Sequence, residues 1–189
     1  MHMQFDESKI CSTLSKTSKA DNGKYVVDCN DIVYNFDKIT EEIANIYRSK
    51  RPLKSCDALH IKDDTHIYLI EFKNVRKSRV PKKELQKKAY DSIWTLEFSF
   101  FPHLPLSELK KRVRLIVVYN DDEIVEKEQE SENFTLLKNK LKHFSGTQQA
   151  ILFGLEIYEN VLYKEIITVE KDFFMHQIYE KIFPTAQRI

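Results

Sequence analysis

The sequence predicts an α/β domain in which a mixed central sheet is flanked by helices, the whole of residues 1–189 forming one unit. Three observations carry this. Apolar and polar residues alternate on both sides of the polar turn Asp63-Asp64-Thr65, the pattern of two paired strands. An amphipathic stretch over residues 81–98 separates that hairpin from the apolar run 112–119, the strand–helix–strand order of a crossover that adds a strand to the same sheet. Only three glycines and five prolines interrupt 189 residues that are 31% charged and 12% aromatic, the composition of a folded domain and not of a linker or disordered tail.

Taken in order, Phe5, Ile10 and Leu14 give residues 5–19 a helical period, and Asp21-Asn22-Gly23 is a turn signal. Residues 24–28 and 32–36 read as strands around Cys29-Asn30-Asp31. Asp37 has the chemistry of an N-cap for a helix over 37–49, with Glu41 and Glu42 in its first turns and Ile39, Ile43, Ile46 and Tyr47 as its buried stripe. In the hairpin, a three-residue turn sets Lys62 opposite His66, Ile61 opposite Ile67, Leu59 opposite Leu69 and Asp57 opposite Glu71. The next helix begins at Pro81, with Ser78 as a nearby cap, and buries Leu85, Ala89, Ile93 and Leu96. Residues 122–144 read as a surface helix with Phe134, Leu137, Leu141 and Phe144 at helical spacing, ended by Gly146. Two strands, 150–158 and 161–169, turn at Glu159-Asn160, and a closing helix over 170–183 buries Phe173, Phe174, Ile178 and Ile182.

The hairpin register has a chemical consequence. Side chains alternate along a strand, so one face carries Asp57, Leu59, Ile61, Ile67, Leu69, Glu71 and Lys73. Its middle is apolar and its open end holds two carboxylates and an ammonium. Neighbouring carboxylates raise each other's pKa unless a cation compensates them. Mg²⁺ does so readily, because it prefers oxygen ligands and often takes one or two protein carboxylates with phosphate oxygens and water. Lys73 beside such an ion suits metal-assisted phosphodiester hydrolysis. Spacing alone leaves open a plainer reading, the solvated end of a hairpin with an ordinary Asp, Glu and Lys.

Asp57 on one strand and Glu71-Phe72-Lys73 ending the next, after the apolar run Ile67-Tyr68-Leu69-Ile70, resemble the core of the PD-(D/E)XK, or restriction-endonuclease-like, nuclease superfamily. Ser55-Cys56 stand where the family's eponymous proline would precede the aspartate. Gln86-Lys87-Lys88-Ala89-Tyr90 is similar to the Gln-x-x-x-Tyr helix signature of the RecB and λ-exonuclease-like branch. The resemblance covers residues 37–120. It implies an αβββαβ core over about 24–120, followed by a C-terminal extension over 121–189 with an extra hairpin and helix. It further implies Mg²⁺ or Mn²⁺ held by Asp57, Glu71 and the backbone carbonyl of Phe72, with Lys73 orienting the attacking water or stabilising the transition state. Such nucleases carry another acid on the helix before the aspartate strand. Glu42 flanks the expected stripe while Glu41 points away, so Glu42 is the expected residue, against the alternative of two solvated glutamates. Gln86 and Tyr90 would contact substrate or support Lys73. The implied activity is a divalent-metal-dependent nuclease acting on DNA, with RNA open as a substrate and a homodimer as an option. The alternative is a non-catalytic nucleic-acid- or protein-binding module that keeps the nuclease fold.

Charge distribution adds to this. The net charge is +1, yet residues 73–88 carry eight basic side chains against one acid, Glu84. Arg76, Lys77, Arg79 and Lys87 are the expected phosphate contacts, the alternative being a solvated face. Tyr90 and Trp94 lie four apart, as a stacking platform or, for Trp94, as core. Other chemistries find little support. The six histidines lack zinc spacing, and there is no glycine-rich phosphate loop and no Gly-x-Ser-x-Gly elbow. Cys11, Cys29 and Cys56 are too few for a four-cysteine cluster, and Cys56 reads as a buried, inert thiol. No run reaches membrane-spanning length and no signal peptide is recognisable, so the expected location is the cytoplasm, with reduced thiols.

Overall fold

A computed structural model describes residues 5–20, 23–120 and 151–184. Six strands form one open mixed sheet whose spatial order is the sequence order: β1 (Cys11–Thr13), β2 (Ile32–Asn35), β3 (Ala58–Asp63), β4 (His66–Lys73), β5 (Val113–Tyr119) and β6 (Glu165–Glu170). The pairs β1–β2, β2–β3 and β3–β4 are antiparallel, whereas β5 lies parallel to β4 and β6 parallel to β5. The helices are α1 (Glu7–Ile10), α2 (Leu14–Thr17), α3 (Phe36–Ile46), α4 (Lys82–Phe100) and α5 (Leu106–Leu109), with a closing helical stretch after β6. The parallel β4–β5 pair requires a long crossover, and α4 supplies it.

The period-2 pattern sorts the core into two layers. Leu59, Ile67, Leu69, Leu115 and Val117 point to one face, where they meet Phe36 and Ile39 of α3 and Leu85, Ala89, Ile93 and Leu96 of α4. Ala58, Tyr68, Ile70, Phe72, Ile116 and Val118 point to the other, under Phe174, Tyr179 and Ile182. Central strands covered on both sides explain why β4 and β5 read as nearly unbroken apolar runs. Glu71 and Lys73 keep the parity of Leu69 and therefore belong to the α4 face.

Several elements differ from the sequence reading. Residues 5–19 form two single helical turns around the edge strand β1, because Cys11, Ser12 and Thr13 pair with Tyr34, Val33 and Ile32, and Asp6 and Thr13 each cap a new turn. Residues 24–28 are not a strand; Tyr25 makes an isolated bridge to Lys19, and the Ser18 hydroxyl takes the Val27 N–H. α3 starts earlier than expected, because Asn35 caps it by accepting the Lys38 N–H. It buries Phe36, Ile39, Thr40 and Ala44, so Ile46 and Tyr47 stay exposed. α3 also stands between β2 and β3, and only two strands follow it before α4, unlike the αβββαβ order.

The hairpin register holds: Leu59 faces Leu69 and Ile61 faces Ile67. Its turn is tighter than expected, since Asp63 pairs with His66 and its carboxylate accepts the Thr65 N–H at 2.7 Å, leaving Lys62 in a register shift instead of opposite His66. α4 begins just after Pro81 and buries all four expected apolar residues, while Ser78 sits in a 3₁₀ turn and caps nothing. The C-terminal hairpin does not form among the described residues. Phe153 and Gly154 take positive φ, Glu156–Tyr158 is a 3₁₀ turn, and β6 pairs with β5. The closing helix is broken into Lys171–Phe173, a π-type stretch Phe174–Ile178 and Tyr179–Ile182, with Phe174 and Ile182 buried and Phe173 exposed. The expected helix over 122–144 and Gly146 lie outside the described residues. No described helix is long and apolar enough to cross a membrane.

Gly154 ties the C-terminal segment to α4. Its φ is +74°, and a Cβ there would lie 2.4 Å from Gln86 Nε2, the amide that donates to the carbonyls of Phe153 and Gly154. Gly154→Ala is expected to lower stability by about 1–3 kcal/mol, read as a lower denaturant midpoint with an unchanged slope.

Candidate functional site

Asp57 lies just before β3, and extending the β3–β4 register places it opposite Glu71. The two carboxylates and Lys73 do converge, at the C-terminal end of β4 under α4. Glu71 is completely buried. Lys73 Nζ lies 2.8 Å from its Oε1. The side chain that completes the cluster comes from α4: Lys88 Nζ is 3.0 Å from Asp57 Oδ1 and 2.9 Å from both Oε1 and Oε2 of Glu71. Asp57 Oδ2 accepts the Phe72 N–H at 2.7 Å. Every oxygen of the two acids thus has a donor, and two acidic side chains face two ammonium groups.

Local structure explains the convergence. β3 has not yet begun at Asp57, so its side chain can turn toward the free Phe72 N–H instead of standing normal to a ladder. The Phe72 carbonyl leaves the strand on that same edge, because the N–H and C=O of one strand residue share a side. On α4, Leu85, Lys88, Ser92 and Leu96 are all buried and recur at helical spacing, which puts Lys88 on the inward stripe. Ser92 fixes the approach by accepting the Cys56 N–H at 2.8 Å, and Asp91 accepts the Lys54 N–H.

Burial, then the charge of Glu71, pushes the Asp57 carboxyl up to about 8, against the opposing pull of Lys88 and the Phe72 N–H. Desolvation works against the Lys88 ammonium, but Glu71 and Asp57 outweigh it and hold its pKa above the ordinary lysine value. Burial drives the Cys56 thiol far up, away from any nucleophilic thiolate.

The remaining expected residues are placed less uniformly. Glu42 is half-buried, and among the described residues no hydrogen bond or ion pair joins Glu41 or Glu42 to the cluster. The α3 acid that the cluster feels is Asp37, which raises both Asp57 and Lys88 and accepts the Ser55 hydroxyl at 2.5 Å. Gln86 is bound to the carbonyls of Phe153 and Gly154. Tyr90 is exposed, and Lys87 is drawn to Asp91 at 2.6 Å. Arg76 is half-buried, whereas Lys77 and Arg79 lie exposed in the 3₁₀ turn Lys77–Arg79.

Lys88 and Asp37 escaped the sequence reading. The signal for Lys88 was its phase with Leu85, Ser92 and Leu96; Asp37 carried an assignment as helix cap that Asn35 takes instead.

Among the described residues no group of three or more His, Cys, Asp or Glu side chains is placed to hold a metal ion. The oxygens of Asp57 and Glu71 suit a hard cation, but the Lys88 ammonium lies between them. Mg²⁺ binds oxygen at about 2.0–2.1 Å, so an ion at that point requires the ammonium to withdraw and the carboxylates to draw in. No protein-family model matches the chain, and neither a curated protein nor a solved structure is significantly similar to it.

Two outcomes follow. Glu71→Gln leaves the buried Lys88 ammonium and the partly buried Lys73 ammonium facing a neutral amide, and is expected to cost about 3–5 kcal/mol in chemical denaturation. For Asp57, a folded-state pKa raised to about 8 means the native state holds a proton that the unfolded chain has released. Its contribution to stability is therefore full below the ordinary carboxylate range and is lost as pH rises toward about 8. Asp57→Asn should gain stability relative to wild type across that interval, and a flat difference would contradict the raised pKa.

Proposed function

We propose that the chain is a divalent-metal-dependent nuclease that hydrolyses phosphodiester bonds, with DNA as its substrate, on a variant of the restriction-endonuclease-like core in which only β3 and β4 stand between α3 and α4. The observation that carries the reading is the convergence of Asp57, Glu71 and Lys73 at one end of the β3–β4 hairpin. Asp57, Glu71 and the Phe72 carbonyl would hold Mg²⁺ or Mn²⁺, whose chemistry there is to polarise a phosphoryl oxygen and lower the pKa of a water. Lys73, held 2.8 Å from Glu71 and partly open to solvent, presents a fixed positive charge to a developing phosphorane or orients the water. Lys88 bridges the two acids in the metal-free protein. Arg76, Lys77, Arg79 and Lys87, with the exposed Lys82 and Lys83, would neutralise substrate phosphates. In this reading the protein works in the cytoplasm with Cys11, Cys29 and Cys56 as free thiols, and a homodimer would allow both strands to be cut.

One observation favours the second reading, a non-catalytic nucleic-acid- or protein-binding module. The Lys88 ammonium occupies the point between Asp57 and Glu71 and already pairs with both.

Cleavage of plasmid and linear DNA with Mg²⁺ or Mn²⁺ separates the two. Asp57→Ala and Lys73→Ala are expected to lose about a hundredfold or more of the wild-type rate; equal products from all three proteins would leave the binding module. A second readout needs no activity. Lys88→Met removes the competing ammonium, so Mn²⁺ should raise the Tm of this variant more than that of wild type. Failure of Mn²⁺ to stabilise either protein would argue against a metal between Asp57 and Glu71.

A further inference from the structure

The outer surface of α4 carries a feature the cluster does not use. Lys83, Lys87, Tyr90, Trp94 and Phe98 recur every three or four residues along one exposed stripe. Tyr90, Trp94 and Phe98 are 46%, 43% and 49% exposed, and Tyr47 of the α3 C-cap, 55% exposed, extends the row beside Phe98. Trp94 is therefore not a core residue, as its helical position had allowed. The rings touch at a tilt, Tyr90 to Trp94 at 6.2 Å and 58°, Tyr47 to Phe98 at 5.6 Å and 58°, instead of closing into a stack.

We infer that this ridge is a binding platform for single-stranded nucleic acid leading away from the carboxylate cluster. The inference rests on the proposed action at phosphodiesters, and it supplies the substrate class. The order along α4 is the argument. Its N-terminal turns carry the cations, next to the cluster that Lys88 enters from the same helix, and the rings follow. A strand laid along the ridge would have its phosphates neutralised by Lys83, and by Lys87 once it exchanges Asp91 for phosphate, with successive bases laid on Tyr90, Trp94 and Phe98. Base–aromatic stacking needs an exposed base face, which a single strand offers and a duplex interior does not. A protein partner would be satisfied by apolar area alone and gives no reason for lysines to continue the same stripe.

Trp94 is the only tryptophan, so its fluorescence reports on the ridge directly. Oligo-dT titrated into wild-type protein in EDTA should quench it saturably. Tyr90→Ala and Phe98→Ala, both surface changes, should each weaken binding about tenfold with unchanged circular dichroism. Lys83→Ala should reduce the salt dependence and leave the saturated quench intact. The platform is overturned if oligo-dT leaves the fluorescence unchanged, if blunt duplex quenches as strongly as the single strand, or if Trp94 is quenched by concentration-dependent self-association alone. Quenching without metal-dependent cleavage would remove the nuclease and keep the ridge; cleavage without quenching would do the reverse.

Discussion

The Lys88 ammonium, held between Asp57 and Glu71, is the constraint on which the rest of the site depends. Glu71 is fully buried, and two buried carboxylates this close repel each other strongly unless a cation joins them. The cation is delivered by a helix, so the crossover α4 must lie over β3 and β4 in one axial position and one rotation. Polar contacts along α4 reinforce that placement: Ser92 with the Cys56 N–H, Asp91 with the Lys54 N–H, Ala89 O with the Tyr163 hydroxyl, and Gln86 with the segment after β5. Apolar packing of Leu85, Ile93 and Leu96 favours association of helix and sheet, but grease alone tolerates sliding; a charge with three oxygen partners does not.

The same arrangement shapes what chemistry the site can perform. Lys73 and Lys88 give ammonium donors to the two acids, so the cluster is organised before any metal or substrate arrives. A divalent ion would have to compete with an ammonium already in place, which makes metal affinity a property of Lys88 as much as of the ligands. Lys73 stays partly open to solvent where it meets Glu71, whereas Lys88 is buried between both acids. Division of labour between the two lysines follows from burial.

Much of this architecture was legible in the residues. Alternation in the hairpin gave the pairing of Leu59 with Leu69 and of Ile61 with Ile67, which carried on past the strand start sets Asp57 opposite Glu71; the stripe Leu85, Ala89, Ile93 and Leu96 gave α4; the apolar run into Tyr119 gave β5. What was hidden depends on tertiary context. Lys88 sits in a run of basic residues, where a lysine is ordinarily solvated, and only the buried carboxylates opposite make its inward position favourable. Asp37 looks like a cap because Asp commonly is one, but Asn35 takes that role and frees Asp37 for Ser55. At the C-terminus, left-handed Phe153 and Gly154 break a segment whose apolar content resembles a strand, and edge pairing with β2 converts Cys11–Thr13 from helix to strand.

A lysine-selective NMR titration tests the central interaction most directly, following the side-chain ¹³Cε shifts and assigning Lys88 by its loss in Lys88→Arg. The account predicts that Lys88 keeps its ammonium shift at about pH 11, where ordinary lysines have largely lost their proton. A Lys88 that titrates with the other lysines, or below them, would mean that its ammonium does not lie between the two carboxylates.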